Sequence, residues 1–323
     1  MKALLNKEYG SSDRLTIGDY PKPIPNPTEV LFKVKGSSIN AADWRLMRAE
    51  PFLVRFERGI SKPKSPLLGI DASGVIEEVG ELVSRFKVGD EIYVDLSSSG
   101  LGAFAEYVAI DERLISTKPQ NLDFPEAASV PLAGVTALQG LRDALKISKG
   151  ENLLINGASG GVGTFAIQLA KEFGANVTAV CSTSKREQAL KLGADNIIDY
   201  KTEDFTLSLN KYDAIFAVNG DQSLSEYKKV LTTNGKCVVC GGSMRQIMKA
   251  LVFGGISTLG SQKSIRILTA KPNAEDLSTM RRYIESGRIK PVIDKTYTFE
   301  EIPLAIKHVE EGHSTGKVVI RYN

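Results

Sequence analysis

Leu153-Leu154-Ile155-Asn156-Gly157-Ala158-Ser159-Gly160-Gly161-Val162-Gly163-Thr164-Phe165-Ala166 is the stretch whose reading decides the fold. An apolar run of strand type enters a turn of small residues, and the turn opens directly into an apolar helix. Ala158, Gly160 and Gly163 fall at the spacing of a dinucleotide fingerprint, with Ala in the first place. Small residues there permit a tight turn, a close backbone approach to a pyrophosphate, and close packing of helix on strand. Ser159, Gly161 and Val162 complete the turn. The expected phosphate contact therefore spans Ala158 to Gly163, at a helix N-terminus whose unpaired N–H groups attract negative charge. A tight strand-to-helix turn that holds no ligand is the plainer alternative, and the further β/α units toward the C-terminus weigh against it.

Downstream the rhythm repeats. Strand-like runs at Asn152 to Asn156, Asn176 to Cys181, Asn196 to Asp199, Tyr212 to Val218, Lys236 to Cys240 and Ile265 to Leu268 alternate with helical spacing at Gly163 to Phe173, Lys185 to Leu192, Asp204 to Leu209 and Ser223 to Leu231. Such alternation predicts a doubly wound parallel sheet with crossover helices, an α/β domain of Rossmann type. Most of these strands are nearly continuous apolar runs, as a sheet covered on both faces requires. The residues after the second strand bear on which dinucleotide binds: Val180-Cys181-Ser182-Thr183-Ser184-Lys185-Arg186 carries no acid before Glu187. A carboxylate at this point holds the ribose hydroxyls of NAD, whereas hydroxyl and cationic groups suit a 2′-phosphate. Ser182, Thr183, Lys185 and Arg186 therefore favour NADPH over NADH, unless Lys185-Arg186 merely opens a solvated helix.

Upstream, the first 120 or so residues read as short strands: Glu29 to Lys35, Ala72 to Val79, Glu91 to Val94 and Ala105 to Ala109, rich in β-branched and aromatic residues. Pro21, Pro23, Pro25 and Pro27 forbid a helix before them. From Pro125 the pattern changes, with helical spacing over Glu126 to Ala144. After Pro272 come a helix at Ala274 to Ser286, a strand at Val292 to Phe299, a helix at Glu300 to Glu310 and a last strand at Lys317 to Tyr322. The chain is expected to leave a β-rich, barrel-like lobe, build the nucleotide domain over residues 123–271, and return. Residues 1–122 and 272–323 then form the first lobe, and the cleft between lobes is the expected ligand site. The Ser- and Gly-rich loop from Asp95 to Phe104 is expected to be mobile above it.

Length and composition agree. At 323 residues about two domains are expected, and 42% hydrophobic with 24% charged residues excludes a disordered chain. Forty-one Lys and Arg against 38 Asp and Glu are scattered along the chain, so no nucleic-acid partner is implied. The three cysteines, Cys181, Cys237 and Cys240, imply no disulfide framework, and a cytoplasmic location is expected. Cys237-Val238-Val239-Cys240 has redox spacing but falls in an expected buried strand, which favours a core role. Charge interrupts the first eight residues before a signal-peptide core develops. The most apolar stretch, Ala250 to Gly260, is too short and Gly-rich to span a bilayer, so no stable membrane insertion is expected.

With those residues in view, the sequence resembles the medium-chain dehydrogenase/reductase superfamily, and within it the zinc-free quinone oxidoreductase branch with its enone reductases. The residues that carry the resemblance are Ser38 to Trp44, Pro66 to Val75, Val88-Gly89-Asp90, Gly102 to Tyr107, Ala133 to Ala137, the glycine turn, and His313 to Lys317. The resemblance spans essentially the whole chain and implies a GroES-like barrel for the first lobe. Zinc-dependent members supply Cys where Asn40 stands and Gly-His-Glu where Gly69-Ile70-Asp71 stands. Ile70 has no donor atom, so catalytic zinc is expected to be missing. His308 and His313 lack ligand companions nearby in sequence, and no metal site is expected.

Without a Lewis acid, the expected reaction is one that disperses charge over a conjugated system: hydride transfer from NADPH to a quinone or to the β-carbon of an enone. The resemblance places Asn40 near nicotinamide and substrate, Thr136 against the nicotinamide end, Lys185 and Tyr200 near the adenosine phosphate, and Gly316-Lys317 among the coenzyme-binding residues, in the closing strand of the cleft. Asp43 polarises the site or makes a structural hydrogen bond. Trp44, Met47, Phe52 and Phe56 wall an apolar substrate pocket or belong to the core. The resemblance also implies a homodimer through the edge strand near Ile265 to Leu268. Two rivals stay open: an alcohol dehydrogenase with an unusual metal site, and a non-catalytic NADPH-binding sensor or interaction protein.

Overall fold

The structure, a computed structural model, describes residues 1–254, 260–312 and 314–322. Two compact units are present. One comprises Met1–Val135, Pro272–Gly287 and Pro291–Asn323; the other comprises Thr136–Lys271 and Arg288–Lys290.

In the first unit the chain forms β1 (Lys2–Leu5), β2 (Thr16–Asp19), β3 (Glu29–Ile39), α1 (Ala41–Arg48), α2 (Val54–Arg58), β4 (Asp71–Val79), β5 (Glu91–Asp95), β6 (Tyr107–Asp111), β7 (Ser116–Thr117) and α3 (Phe124–Ala128). The next helix, α4 (Pro131–Gln139), runs into a π-helical turn, Gly140–Leu145. The long helix expected from Glu126 to Ala144 is therefore broken. Pro131 lacks the N–H that a continuing helix needs, and α4 starts on it. The first unit also extends past Leu122, because α3 packs on its strands: Ser73 Oγ donates to the Phe124 carbonyl at 2.5 Å. Gly36 admits that backbone, since a Cβ there would stand 2.5 Å from the Phe124 carbonyl carbon.

The second unit contains β8 (Asn152–Asn156), α5 (Gly161–Glu172), β9 (Asn176–Cys181), α6 (Arg186–Lys191), β10 (Asn196–Asp199), β11 (Tyr212–Ala217), α7 (Leu224–Val230), β12 (Leu231–Val239), α8 (Met244–Phe253) and β13 (Ser264–Ile267). Its six strands lie in the order β10-β9-β8-β11-β12-β13, and every pairing is parallel. The order reverses between β8 and β11, which makes the end of β8 the topological switch point where such sheets bind ligands. Cys237 is buried in β12 and Cys240 follows it, both thiols pushed above their usual range by burial. Part of the apolar stretch from Ala250 to Gly260 forms the end of α8, and residues 255–259 lie outside the described ones. Among the described residues no helix is long and apolar enough to cross a membrane.

The chain then returns to the first unit through α9 (Ala274–Glu285), β14 (Ile293–Thr298), α10 (Ile302–Glu310) and β15 (Lys317–Arg321). A seven-stranded sheet results, ordered β14-β15-β3-β4-β5-β7, with β6 also on β3. Strand β3 carries β6 along Glu29–Lys33 and β15 along Gly36–Ile39, so a strand from the start of the chain and one from its end share one edge. Leu4, Phe32, Ile70, Val94, Phe104 and Ile320 lie in the core inside, each at most 1% exposed.

Candidate active site

The glycine turn takes the conformation that its sequence requires. Gly157 has φ +89°, a left-handed value that a side chain resists, and a Cβ there would meet Asn219 Cβ at 2.6 Å. The sharp bend thus falls on Gly157, one residue before Ala158, whose N–H donates to the Val180 carbonyl at 3.1 Å. Gly160 caps α5 in extended conformation. Ser159, Gly160, Gly161 and Val162 are half-buried, which leaves backbone N–H groups within reach of an anion. Gly163 is where helix meets turn: a Cβ would stand 2.3 Å from the Gly157 carbonyl oxygen. A pyrophosphate fits this cradle on chemical grounds, since the cradle offers N–H donors, a helix N-terminus and no side chain in the way.

Beyond β9, Ser182 is nearly buried, and Thr183 Oγ1 donates to the Asp199 carboxylate. That hydrogen bond holds Asp199 below the usual carboxylate range. Lys185 sits in a 3₁₀ turn, Thr183–Lys185, immediately before α6, and Tyr200 is exposed just past β10. Thr136 lies on α4, 8% exposed.

The chemistry of the first unit gathers at one end of four adjacent strands. In the order β15-β3-β4-β5, Val318 pairs with Ile39, Ser38 with Asp71, and Asp71 with Asp95. Lys317 at the start of β15, Asn40 just past β3, Asp71 at the start of β4 and Asp95 at the end of β5 are thereby brought together. Lys317 Nζ donates to Asn40 Oδ1 at 2.5 Å and lies 3.4 Å from Asp71 Oδ2. Asn40 Nδ2 donates to the same Asp71 oxygen at 2.9 Å, as does Ser38 Oγ at 3.0 Å. The other Asp71 oxygen accepts the Leu132 N–H at 3.0 Å. Four donors on one carboxyl is the pattern of an ionised carboxylate. Asp43, at N3 of α1, accepts the Asn40 N–H at 2.7 Å through Oδ2, while its buried Oδ1 has no partner among the described residues.

Burial dominates the electrostatics. It pushes Asp43 up to about 7, aided by the neighbouring Asp71 and opposed by the Asn40 N–H and Lys317. Asp95 is pushed up to about 6, first by burial and then by Asp71. Lys317, 3% exposed, is lowered by burial, with Asp71 and Asp43 opposing.

The structure thus unites Asn40, Asp43 and Lys317. Lys317, expected at the coenzyme, directs its ammonium at Asn40 and Asp71. Gly316 before it has φ +115°, and a Cβ would meet the Val292 carbonyl oxygen at 2.3 Å. Of the residues expected to wall a substrate pocket, Met47 is fully buried in the core and Trp44 is half-buried against it. Phe52 and Phe56 are exposed, with ring centroids 6.0 Å apart. The Asp95 to Phe104 loop exposes only Ser97 to Gly100, because Leu96, Leu101, Ala103 and Phe104 are buried and the Gly102 and Ala103 N–H groups donate to the Gly69 carbonyl. Sequence reasoning missed Ser38, Asp71 and Asp95 as site residues. Acids at both ends of a β-hairpin whose neighbours are apolar were the available signal.

A metal fits poorly here. Ile70 stands in the core at 1% exposure without a donor atom, and the space between Asn40 and Asp71 is spanned by the Lys317 ammonium. His308 hydrogen-bonds Asp294 of the outermost strand, β14, at 2.7 Å, and His313 lies outside the described residues.

Comparison with known proteins agrees with this geometry. Residues 26–120 match the family described as alcohol dehydrogenase GroES-like domain, and residues 192–320 match the one described as zinc-binding dehydrogenase. The chain is 36% identical to the 2-methylene-furan-3-one reductase of Solanum lycopersicum, over 99% of this chain and 79% of that protein. It is 34% identical to a chloroplast envelope quinone oxidoreductase homolog of Arabidopsis thaliana, over 99% and 98%. Among solved structures, the quinone oxidoreductase from Coxiella burnetii superposes with a TM-score of 0.91 at 27% identity, covering 100% of this chain and 99% of that one.

Proposed function

Because the chain belongs to the medium-chain dehydrogenase/reductase superfamily, among its quinone oxidoreductases and enone reductases, we infer that it is an oxidoreductase that uses NADPH to reduce quinones or the C=C bond of α,β-unsaturated carbonyls. The observation that carries this reading is the cradle from Gly157 to Gly163 at the switch point, followed by a second strand that leads into Ser182-Thr183-Ser184-Lys185-Arg186 with no acid.

When bound, the reduced nicotinamide supplies a hydride to the quinone or to the enone β-carbon, and water supplies the balancing proton. The α5 N-terminus holds the pyrophosphate by its N–H groups. Ser182 and Thr183 offer hydroxyls, and Lys185 and Arg186 offer cations, to the 2′-phosphate. Asn40 offers an amide hydrogen to the acceptor's carbonyl oxygen, where negative charge develops. That charge is spread over a conjugated acceptor, so a hydrogen bond suffices and zinc is not required. The donor set supports the zinc-free reading, since Ile70 supplies nothing to a metal.

The reading extends to a homodimer. Strand β13 is one of the two edges of the six-stranded sheet among the described residues, and an unpaired edge invites pairing with a second copy. Light scattering at micromolar concentration tests this, and a monomer would refute it.

The deciding experiment is steady-state oxidation of NADPH and NADH against 1,4-benzoquinone, 9,10-phenanthrenequinone and a short enone, with metal analysis of the same sample. Turnover with NADPH and no stoichiometric zinc is expected. NADPH binding without turnover on any acceptor would favour a sensor, and turnover that depends on zinc would favour an alcohol dehydrogenase.

A further inference from the structure

We propose that Lys317 is a positioning residue for Asn40, fixing the side-chain amide so that one Nδ2 hydrogen stays available to the acceptor's carbonyl oxygen. The inference rests on the reading of Asn40 as the group that meets that oxygen.

An asparagine amide has two ends of nearly equal shape, and only its partners decide which way it faces. Here the partners decide without ambiguity. The Lys317 ammonium can only donate, so the atom 2.5 Å from it is Oδ1. Asp71 Oδ2, already accepting from Ser38 and held on its other oxygen by the Leu132 N–H, takes one Nδ2 hydrogen at 2.9 Å. Turning the amide over would set Oδ1 against a carboxylate and Nδ2 against an ammonium. The backbone end is fixed as well, because the Asn40 N–H donates to Asp43 at 2.7 Å. One Nδ2 hydrogen is left without a partner among the described residues, on a side chain 6% exposed.

The ammonium has a further consequence. A buried lysine is expensive to keep charged, and this one, 3% exposed, bonds only to Asn40 and Asp71 among the described residues. Its charge acts on Asn40 from behind, and a hydrogen bond to Oδ1 draws density from the amide and strengthens the remaining N–H as a donor. Asp71 opposes the effect of burial on the lysine and holds the amide upright at the same time.

Selective ¹⁵N-asparagine labelling and steady-state kinetics test the proposal on the full chain. In the wild type, the Asn40 side-chain amide should give one pair of widely separated proton resonances. In Lys317→Met the separation should collapse, with NADPH binding within about twofold of wild type, since the Lys317 ammonium is bonded to Asn40 and Asp71. The kcat of Lys317→Met should fall about 100-fold, the size of a lost oxyanion donor, with little change in KM for NADPH. Asn40→Ala should fall by a similar factor, and the double variant Lys317→Met/Asn40→Ala should be no slower than Asn40→Ala. If Lys317→Met does not fold, Lys317→Met/Asp71→Asn removes both charges and takes its place. Multiplying losses in the double variant, or an unchanged amide signature, would overturn the proposal. A wild type inactive on every acceptor would sink the functional reading, and the amide signature would still decide the role of Lys317.

Discussion

Lys317 Nζ stands 2.5 Å from Asn40 Oδ1 across 277 residues of sequence. The contact exists because β15, the last strand of the chain, pairs antiparallel with β3 and sets Val318 opposite Ile39. The return of the chain to its first unit is therefore what completes the polar site. Without β15 the start of β4 would keep a buried Asp71 with no cation beside it. Sheet register, more than any loop, assembles this network, and that makes its geometry rigid.

Asp71→Ala should accordingly be among the most destabilising substitutions in the first unit. It leaves the Lys317 ammonium buried without its counter-charge and strands the Ser38 hydroxyl and the Leu132 N–H. Breaking a buried pair on one side costs about 3–5 kcal/mol. Urea unfolding of Asp71→Ala should show a loss of that size, and adding Lys317→Met should recover most of it. A loss no larger than that of an exposed ion pair, about 1 kcal/mol or less, would show that the pair is not what holds these strand ends.

The two glycines of the turn separate folding from binding. At Gly163 a Cβ would press into the Gly157 carbonyl oxygen at 2.3 Å and the Ala158 carbonyl carbon at 2.6 Å, so backbone must move. At Gly160 the nearest atom is 4.0 Å away and φ is −82°, so alanine fits the folded chain. Gly163→Ala should lower Tm, by an amount in keeping with an overpacking loss of about 1–3 kcal/mol. Gly160→Ala should leave Tm unchanged and weaken NADPH binding at least about tenfold, because its methyl group intrudes where the pyrophosphate approaches. Equal effects of the two on NADPH titrations and on melting would contradict the assignment of the cradle.

The second unit was legible because its signal is local. Alternating apolar runs and helical spacing around Leu153 to Ala166 place β8 and α5 within two residues of where they stand. The glycine roles were legible only in part: spacing pointed to Ala158 for the tight turn, but backbone sterics put the left-handed residue at Gly157. The network of the first unit was much less so. Asn40 and Asp43 could be picked out one by one, whereas Asp71, Asp95 and the true partners of Lys317 depend on the register of β15, β3, β4 and β5. A sequence shows that a lysine opens an apolar strand, and only pairing shows which acid lies beside it. The residues expected to wall a pocket illustrate the same limit, since Met47 and Phe52 are five positions apart and one is core while the other is exposed.

Coenzyme choice is tested at Lys185. If its ammonium meets the 2′-phosphate, Lys185→Ala should raise KM for NADPH at least about tenfold, the loss of one charge-assisted contact, and leave KM for NADH within twofold or so. The hydroxyl side of the same site involves Thr183, whose Oγ1 is held by Asp199. Asp199→Ala should free that hydroxyl and remove a negative charge near the phosphate, which shifts the NADPH to NADH preference further toward NADPH. Equal changes in both Michaelis constants for Lys185→Ala would place the phosphate elsewhere.

The buried acids make a signed prediction about pH. Burial raises Asp43 from 3.8 to about 7, with Asp71 adding to the effect. Below pH 3.8 the carboxyl is protonated in the folded and unfolded chain alike, and it contributes no slope. Between about 4 and 7 the folded chain keeps a proton that the unfolded chain has released, so unfolding releases a proton and stability falls as pH rises. Above about 7 both are ionised and the loss is complete, on the order of 4 kcal/mol for a change of that size. Asp95, raised to about 6, acts in the same direction over a narrower window. Carboxylates held low by hydrogen bonds, Asp111 and Asp199 among them, act in the opposite sense but below about pH 4. The difference between wild type and Asp43→Asn isolates the buried group, since asparagine cannot titrate yet still accepts the Asn40 N–H. Urea midpoints measured from about pH 4 to 8 should therefore fall more steeply for wild type than for Asp43→Asn, with the two curves parallel above about pH 7. Parallel curves across the whole range would mean that Asp43 keeps an ordinary carboxylate affinity for its proton and that its neighbours, not burial, control it.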